Sequence, residues 1–205
     1  MKMRFDIPEV DYPTLLQALS GYARPRDRIT RLLRSGDLVR IKKGLYVTED
    51  PRDWYSREVL ANLIYGPSCV SLEFALGYHG LIPEAVETVT SVTTARRKRF
   101  DTPAGRFEYE HLPVPWYSLG VVYETLDPRR GFLIASPEKA LADTLYLRTP
   151  DIGRGDIEGH LFENLRIDPE DFLRLDFSAL ESSFKNCPRA SVRALAWFAA
   201  KGAAG

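Results

Sequence analysis

R-P-R-D-R-I-T-R-L-L-R-S-G-D-L-V-R-I-K-K-G-L-Y-V, residues 24–47, is the stretch whose reading decides the fold. Its first half has helical spacing. Ile29, Leu32 and Leu33 fall at i, i+3 and i+4, so they share one face. Pro25 suits a first helical turn, where its missing N–H would have no intrahelical partner. Gly36 suits the helix stop. The period then changes: Leu38-Val39-Arg40-Ile41 reads as a strand, Lys42-Lys43-Gly44 as a tight turn, and Leu45-Tyr46-Val47 as the returning strand.

A short basic helix running at once into a basic-tipped hairpin is the layout of a winged helix-turn-helix. At about 100° per residue, a buried face centred on Ile29 turns Arg24, Asp27, Arg31 and Arg34 outward. Arg28 and Thr30 fall on the flanks and Arg26 nearer the buried side. Residues 22–47 hold eight Lys or Arg against two Asp, a net of +6. Arginines on a helix can enter the major groove and pair bidentately with guanine edges, and hairpin lysines suit phosphates. The candidate DNA-binding residues are therefore Arg24, Arg26, Asp27, Arg28, Thr30, Arg31, Arg34, Arg40, Lys42 and Lys43. Asp27 and Arg31, four apart, can pair along the helix; otherwise Asp27 is left to accept from a cytosine amino group. The bland alternative is a solvated basic helix beside an unrelated hairpin. The coincidence of apolar face, change of period and one-sided charge favours DNA.

The chain of 205 residues has room for one large domain or two smaller ones. Its 44% hydrophobic and 11% aromatic content suffices for a core. A formal net charge of zero conceals an asymmetry: residues 1–47 carry ten basic and five acidic side chains, and the remainder 18 and 23. Such asymmetry points to a basic binding module on an acidic body. The two cysteines, Cys69 and Cys187, form no CxxC or Cys/His cluster, so buried thiols are expected and no zinc site. The sequence has no signal peptide and no long apolar run, so a cytoplasmic, non-membrane protein is expected.

Elsewhere, Met3 to Ile7 suggests an extra strand. Asp11 is a helix cap with Pro13 in the first turn, and Leu15, Leu16 and Leu19 make the apolar face of that helix. A helix is expected from Arg52 to Ile64, and a second from a cap at Ser68 to Gly80. Val86–Thr94 and Arg106–Leu112 read as strands joined by a hairpin loop that carries Arg96, Arg97, Lys98 and Arg99. Trp116–Tyr123 and Phe132–Ala135 read as further strands, with Trp116, Tyr117 and Tyr123 as core or interface aromatics. Ser136-Pro137-Glu138 opens a helix, and Asp168, Ser178 and Pro188 open three more.

The stretch at 29–47 is joined by S-L-E-F-A-L-G-Y-H-G-L-I-P at 71–83, V-E-T-V-T-S-V-T-T-A-R-R-K-R at 86–99 and A-S-P-E-K-A-L-A-D-T-L at 135–145. In order and spacing these four segments resemble the AbiEi-type antitoxins of type IV toxin–antitoxin (abortive infection) systems. The resemblance implies an N-terminal winged helix-turn-helix and a C-terminal α/β domain. It also implies repression of the protein's own operon through inverted repeats in double-stranded promoter DNA, with paired binding. The partner it implies is a nucleotidyltransferase-like toxin, antagonised without the need for a stable complex. The expected fold class is thus α+β. A winged helix-turn-helix occupies 1–50. An α/β domain with a small, mainly antiparallel sheet and C-terminal helices occupies 51–205.

No cofactor, metal or enzymatic activity is expected. Glu138, Lys139 and Asp143 with Glu108 and Glu110 would suit a DNA-targeted nuclease. Yet Glu138 fits a helix N-terminus, Lys139 reads as a surface residue, and alternating glutamates mark a solvent face. His79, His111 and His160 lack ligand spacing, and His79 reads as the end of a helix. A ligand-sensing transcription factor without a toxin is the milder alternative. Two readings stand for Arg96–Arg99: a charged hairpin tip that discourages edge pairing, or a second surface for nucleic acid or antitoxin activity.

Overall fold

Asp11 marks the first junction in the chain. It ends strand β1 (Glu9–Asp11) and caps helix α1 (Tyr12–Ala18), its Oδ1 accepting from the Thr14 N–H at 2.8 Å. The computed structural model describes residues 7–48 and 54–202. Helix α2 (Pro25–Ser35) starts on its proline and stops at Gly36, whose φ of 77° is left-handed. Strands β2 (Leu38–Lys42) and β3 (Leu45–Thr48) follow as a hairpin, and β1 pairs with the other side of β3 to give a three-stranded antiparallel sheet. Most of the strand anticipated at Met3–Ile7 lies outside the described residues; β1 comes later.

Alternation along this sheet serves two cores. Leu38 and Tyr46 join Val10, Leu15, Leu19, Ile29 and Leu32 in a small cluster under the two helices. Ile41, Leu45 and Val47 belong instead to the large core of the rest of the chain. Glu9, 3% exposed, adds a polar tie: its carboxylate accepts from the Ser56 N–H at 2.6 Å and from Arg130 at 3.3 Å.

The body continues with α3 (Arg57–Ile64), capped by Ser56. Then come β4 (Ser68–Val70), α4 (Leu72–Tyr78), β5 (Val89–Thr93), β6 (Lys98–Thr102), β7 (Gly105–His111), α5 (Val114–Tyr117), β8 (Val121–Asp127) and β9 (Arg130–Ala135). Helix α6 (Pro137–Leu147) opens on Ser136, whose Oγ accepts from the Lys139 N–H. Last are α7 (Ile157–Gly159), running into a π-helical turn at His160–Asn164, α8 (Pro169–Leu173), α9 (Glu181–Lys185) and α10 (Ala190–Gly202).

The second sheet has the order β6-β7-β5-β4-β9-β8. The β6–β7, β5–β4 and β9–β8 pairs are antiparallel, whereas β5–β7 and β4–β9 are parallel. The α+β class therefore holds, with a mixed sheet. Several local expectations do not. Ser68 starts a central strand rather than a helix, and α4 begins after Ser71. Trp116 lies buried on α5, and only from Val121 does the chain become a strand. Tyr123 is exposed. The α3 helix begins at Arg57, not Arg52, and the helix expected from Ser178 begins at Glu181. The hairpin is formed by β6 and β7, so Lys98 and Arg99 lie in an edge strand instead of a loop tip.

Candidate functional site

Helix α2 turns Arg24, Arg26, Asp27, Thr30, Arg31 and Arg34 to solvent. The angular placement of Arg26 and Arg28 is reversed from expectation. Arg26 is exposed, while Arg28 is half-buried, its guanidinium 5.7 Å from the ring centre of Tyr22. Tyr22, just ahead of the helix, supplies a platform that helical periodicity does not register. Arg28 Nε is buried without a hydrogen-bond partner, so this side chain is poorly placed to reach a groove. Thr30 Oγ1 donates back to the Arg26 carbonyl at 3.2 Å. Asp27 lies 3.8 Å from Arg24 rather than pairing with Arg31. Both partners are well exposed, so this contact contributes little and leaves the carboxylate accessible.

The hairpin divides its cations. Arg40 and Lys43 are exposed. Lys42 is half-buried and donates its ammonium to the Ile64 carbonyl at the end of α3. Burial, with Lys98 nearby, lowers its pKa. It is a tether between hairpin and body. Among the described residues, Arg26, Arg31, Arg34 and Lys43 meet no carboxylate, so their charges face outward.

The run Arg96–Arg99 is different. Arg97 pairs with Glu110 at 3.0 Å, and Arg99 with Glu108 at 3.5 Å and Asp101 at 3.8 Å. Lys98 lies 5.3 Å and 5.2 Å from the ring centres of Tyr65 and Phe100. Glu110, only 7% exposed, also binds Arg148 at 2.8 Å. Glu110 is therefore not on a solvent face, while all four cations of the run stay exposed, two of them paired with carboxylates.

The side chains weighed for a nuclease are not brought together. Glu138 accepts from the Asp176 N–H. Lys139, expected at the surface, is fully buried and ion-paired with fully buried Asp143. Ser71 Oγ donates to the other carboxylate oxygen of Asp143 at 2.7 Å. Burial raises the Asp143 pKa, and the lysine and serine act against it. Nearby Cys69 is buried, which pushes its thiol up and leaves it inert. Sequence reasoning missed this network because an i,i+4 Lys–Asp pair looks the same on a surface helix. Among the described residues no three His, Cys, Asp or Glu side chains gather as a metal site would require, and no helix is long and apolar enough to cross a membrane.

No family model matches the chain, and no curated protein matches it. Among solved structures, it is similar to the crystal structure of the RV2827C protein from Mycobacterium tuberculosis. The TM-score is 0.62 at 17% identity, over 95% of this chain and 72% of that one. At that identity the likeness concerns the fold alone.

Proposed function

We propose that the chain is a DNA-binding transcriptional repressor whose α1, α2 and β2–β3 hairpin act as a winged helix-turn-helix. On this reading it works as the autorepressing antitoxin of a type IV toxin–antitoxin pair. The carrying observation is the row Arg26, Arg31 and Arg34, exposed on α2 with no carboxylate partner among the described residues, beside exposed Arg40 and Lys43. Arginine on an exposed helix is matched to guanine edges in the major groove, and the hairpin cations to the flanking phosphates. The antitoxin part rests on the four resembling segments, three of which lie in the body. There the reading assigns the body to antagonism of a nucleotidyltransferase-like toxin.

A gel-shift titration of the full chain on DNA from upstream of its own gene tests the DNA reading. With about five phosphates neutralised, log K should fall against log salt with a slope of about −4 to −5. It should also exceed binding to a scrambled duplex by at least about 10³-fold. Equal affinity for both duplexes removes the repressor. Co-expression with the adjacent gene, scored by growth, tests the antitoxin part separately.

A further inference from the structure

The C-terminal helices hold a second concentration of positive charge, although the chain outside residues 1–47 is net acidic. A groove of about 550 Å³ runs along α10, within the size range of small-ligand sites. Its floor is Ala190, Ala194 and Ala200, small enough to leave room, with half-buried Trp197 among them. Its walls carry Arg154, Lys185 and Arg193, and among the described residues no carboxylate lines it.

The cations are arranged around the indole. The Arg154 guanidinium lies 5.4 Å from the Trp197 ring centre and Lys201 Nζ 5.7 Å from it. Arg193 is held by donating to the Cys187 and Pro188 carbonyls at 2.7 Å and 2.8 Å, both through Nη1, which leaves its other donors uncommitted. Lys185 is bridged to Glu181 at 2.5 Å, an exposed pair that a stronger anion can displace. Asp156 stands near Gly153 at the rim. A stacked guanidinium–indole platform accepts a planar base, and arginine and lysine beside it accept the attached phosphate.

We propose that this groove binds a nucleotide unit, its base stacked at Arg154 and Trp197 and its phosphate held by Arg193 and Lys185. The site is independent of the α2 face. Two sources carry this chemistry, a free nucleotide and a residue of single-stranded RNA.

The full chain is titrated with a fluorescent ATP analogue in one arm and a short labelled oligouridine in the other. The variants are Arg154→Glu/Lys185→Glu, both at exposed positions, Trp197→Leu, and Arg31→Ala/Lys43→Ala as a control at residues that do not line the groove. Binding in either arm should weaken at least about tenfold in the charge-reversed variant and in Trp197→Leu, and persist in the control. Binding confined to ATP assigns a free nucleotide, and binding confined to oligouridine assigns RNA. The proposal is overturned if wild type binds neither probe at millimolar concentration, or if the charge-reversed variant, folded by circular dichroism, binds as wild type does.

Discussion

Lys139 and Asp143 form an ion pair one turn apart on α6, and neither side chain reaches solvent. Removing both charges from water is costly, and the pair is held only while its members satisfy one another. Lys139→Met, which leaves the carboxylate alone, should destabilise the protein by about 3–5 kcal/mol. Adding Asp143→Leu should restore most of that loss. Chemical denaturation of the singles and the double measures the coupling. Strictly additive losses would show that the two charges act separately.

Adjacent lysines in the hairpin should behave differently. Lys43→Ala removes an exposed charge and should lower the salt slope of DNA binding by about 0.9 with little change in stability. Lys42→Ala removes the tether to the Ile64 carbonyl. It should lower the melting temperature and leave the salt slope nearly unchanged. A slope change of the same size in both variants would place both ammonium groups on phosphate.

Ile41, Leu45 and Val47 sit in the body's core while Leu38 and Tyr46 sit in the smaller one. Ile41→Ala should therefore cost the whole molecule about 2–5 kcal/mol. The loss should appear as a shift of one cooperative transition monitored by near- and far-ultraviolet circular dichroism. Early loss of the N-terminal module alone would contradict the shared core.

His160 should give the stability a pH dependence. Its ring is hydrogen-bonding with Thr149 and Asn164, and burial lowers its pKa from the ordinary 6.5. The unfolded chain then binds the proton more readily than the folded one. The histidine's contribution is complete above about pH 6.5 and is lost as pH falls through the lowered folded value. Between about pH 7.5 and about pH 5.5 the melting temperature should fall further in wild type than in His160→Gln. Equal falls would mean the ring is protonated without penalty.

Local chemistry made much of this legible in the sequence. The cap at Asp11, the proline start and glycine stop of α2 and the Ser136 cap of α6 each depend on neighbours a few residues away. What failed depends on distant partners. Ser68-Cys69-Val70 is too short to show a period, and its place between β5 and β9 makes it a strand. Arg97 spends its charge on Glu110, brought close because β7 pairs with both β6 and β5. The exposed basic row on α2 was legible as a row. The division between Lys42 and Lys43 was not, since it is set by the end of α3.

The pairing of Arg97 and Arg99 with Glu110 and Glu108 also affects how the molecule behaves before it touches anything. Residues 22–47 carry +6 in a chain whose formal total is zero, so the remainder carries −6. With Arg97 and Arg99 paired to carboxylates in place, the N-terminal module holds the largest run of cations without carboxylate partners among the described residues. A neutral body with separated charge gains little net pull toward a polyanion, but it experiences a torque. If the chain binds DNA as proposed, then within about a Debye length, about 8 Å at physiological salt, that torque would turn α2 toward the phosphates. Orientation at such an encounter would then follow where the cations have no carboxylate partner.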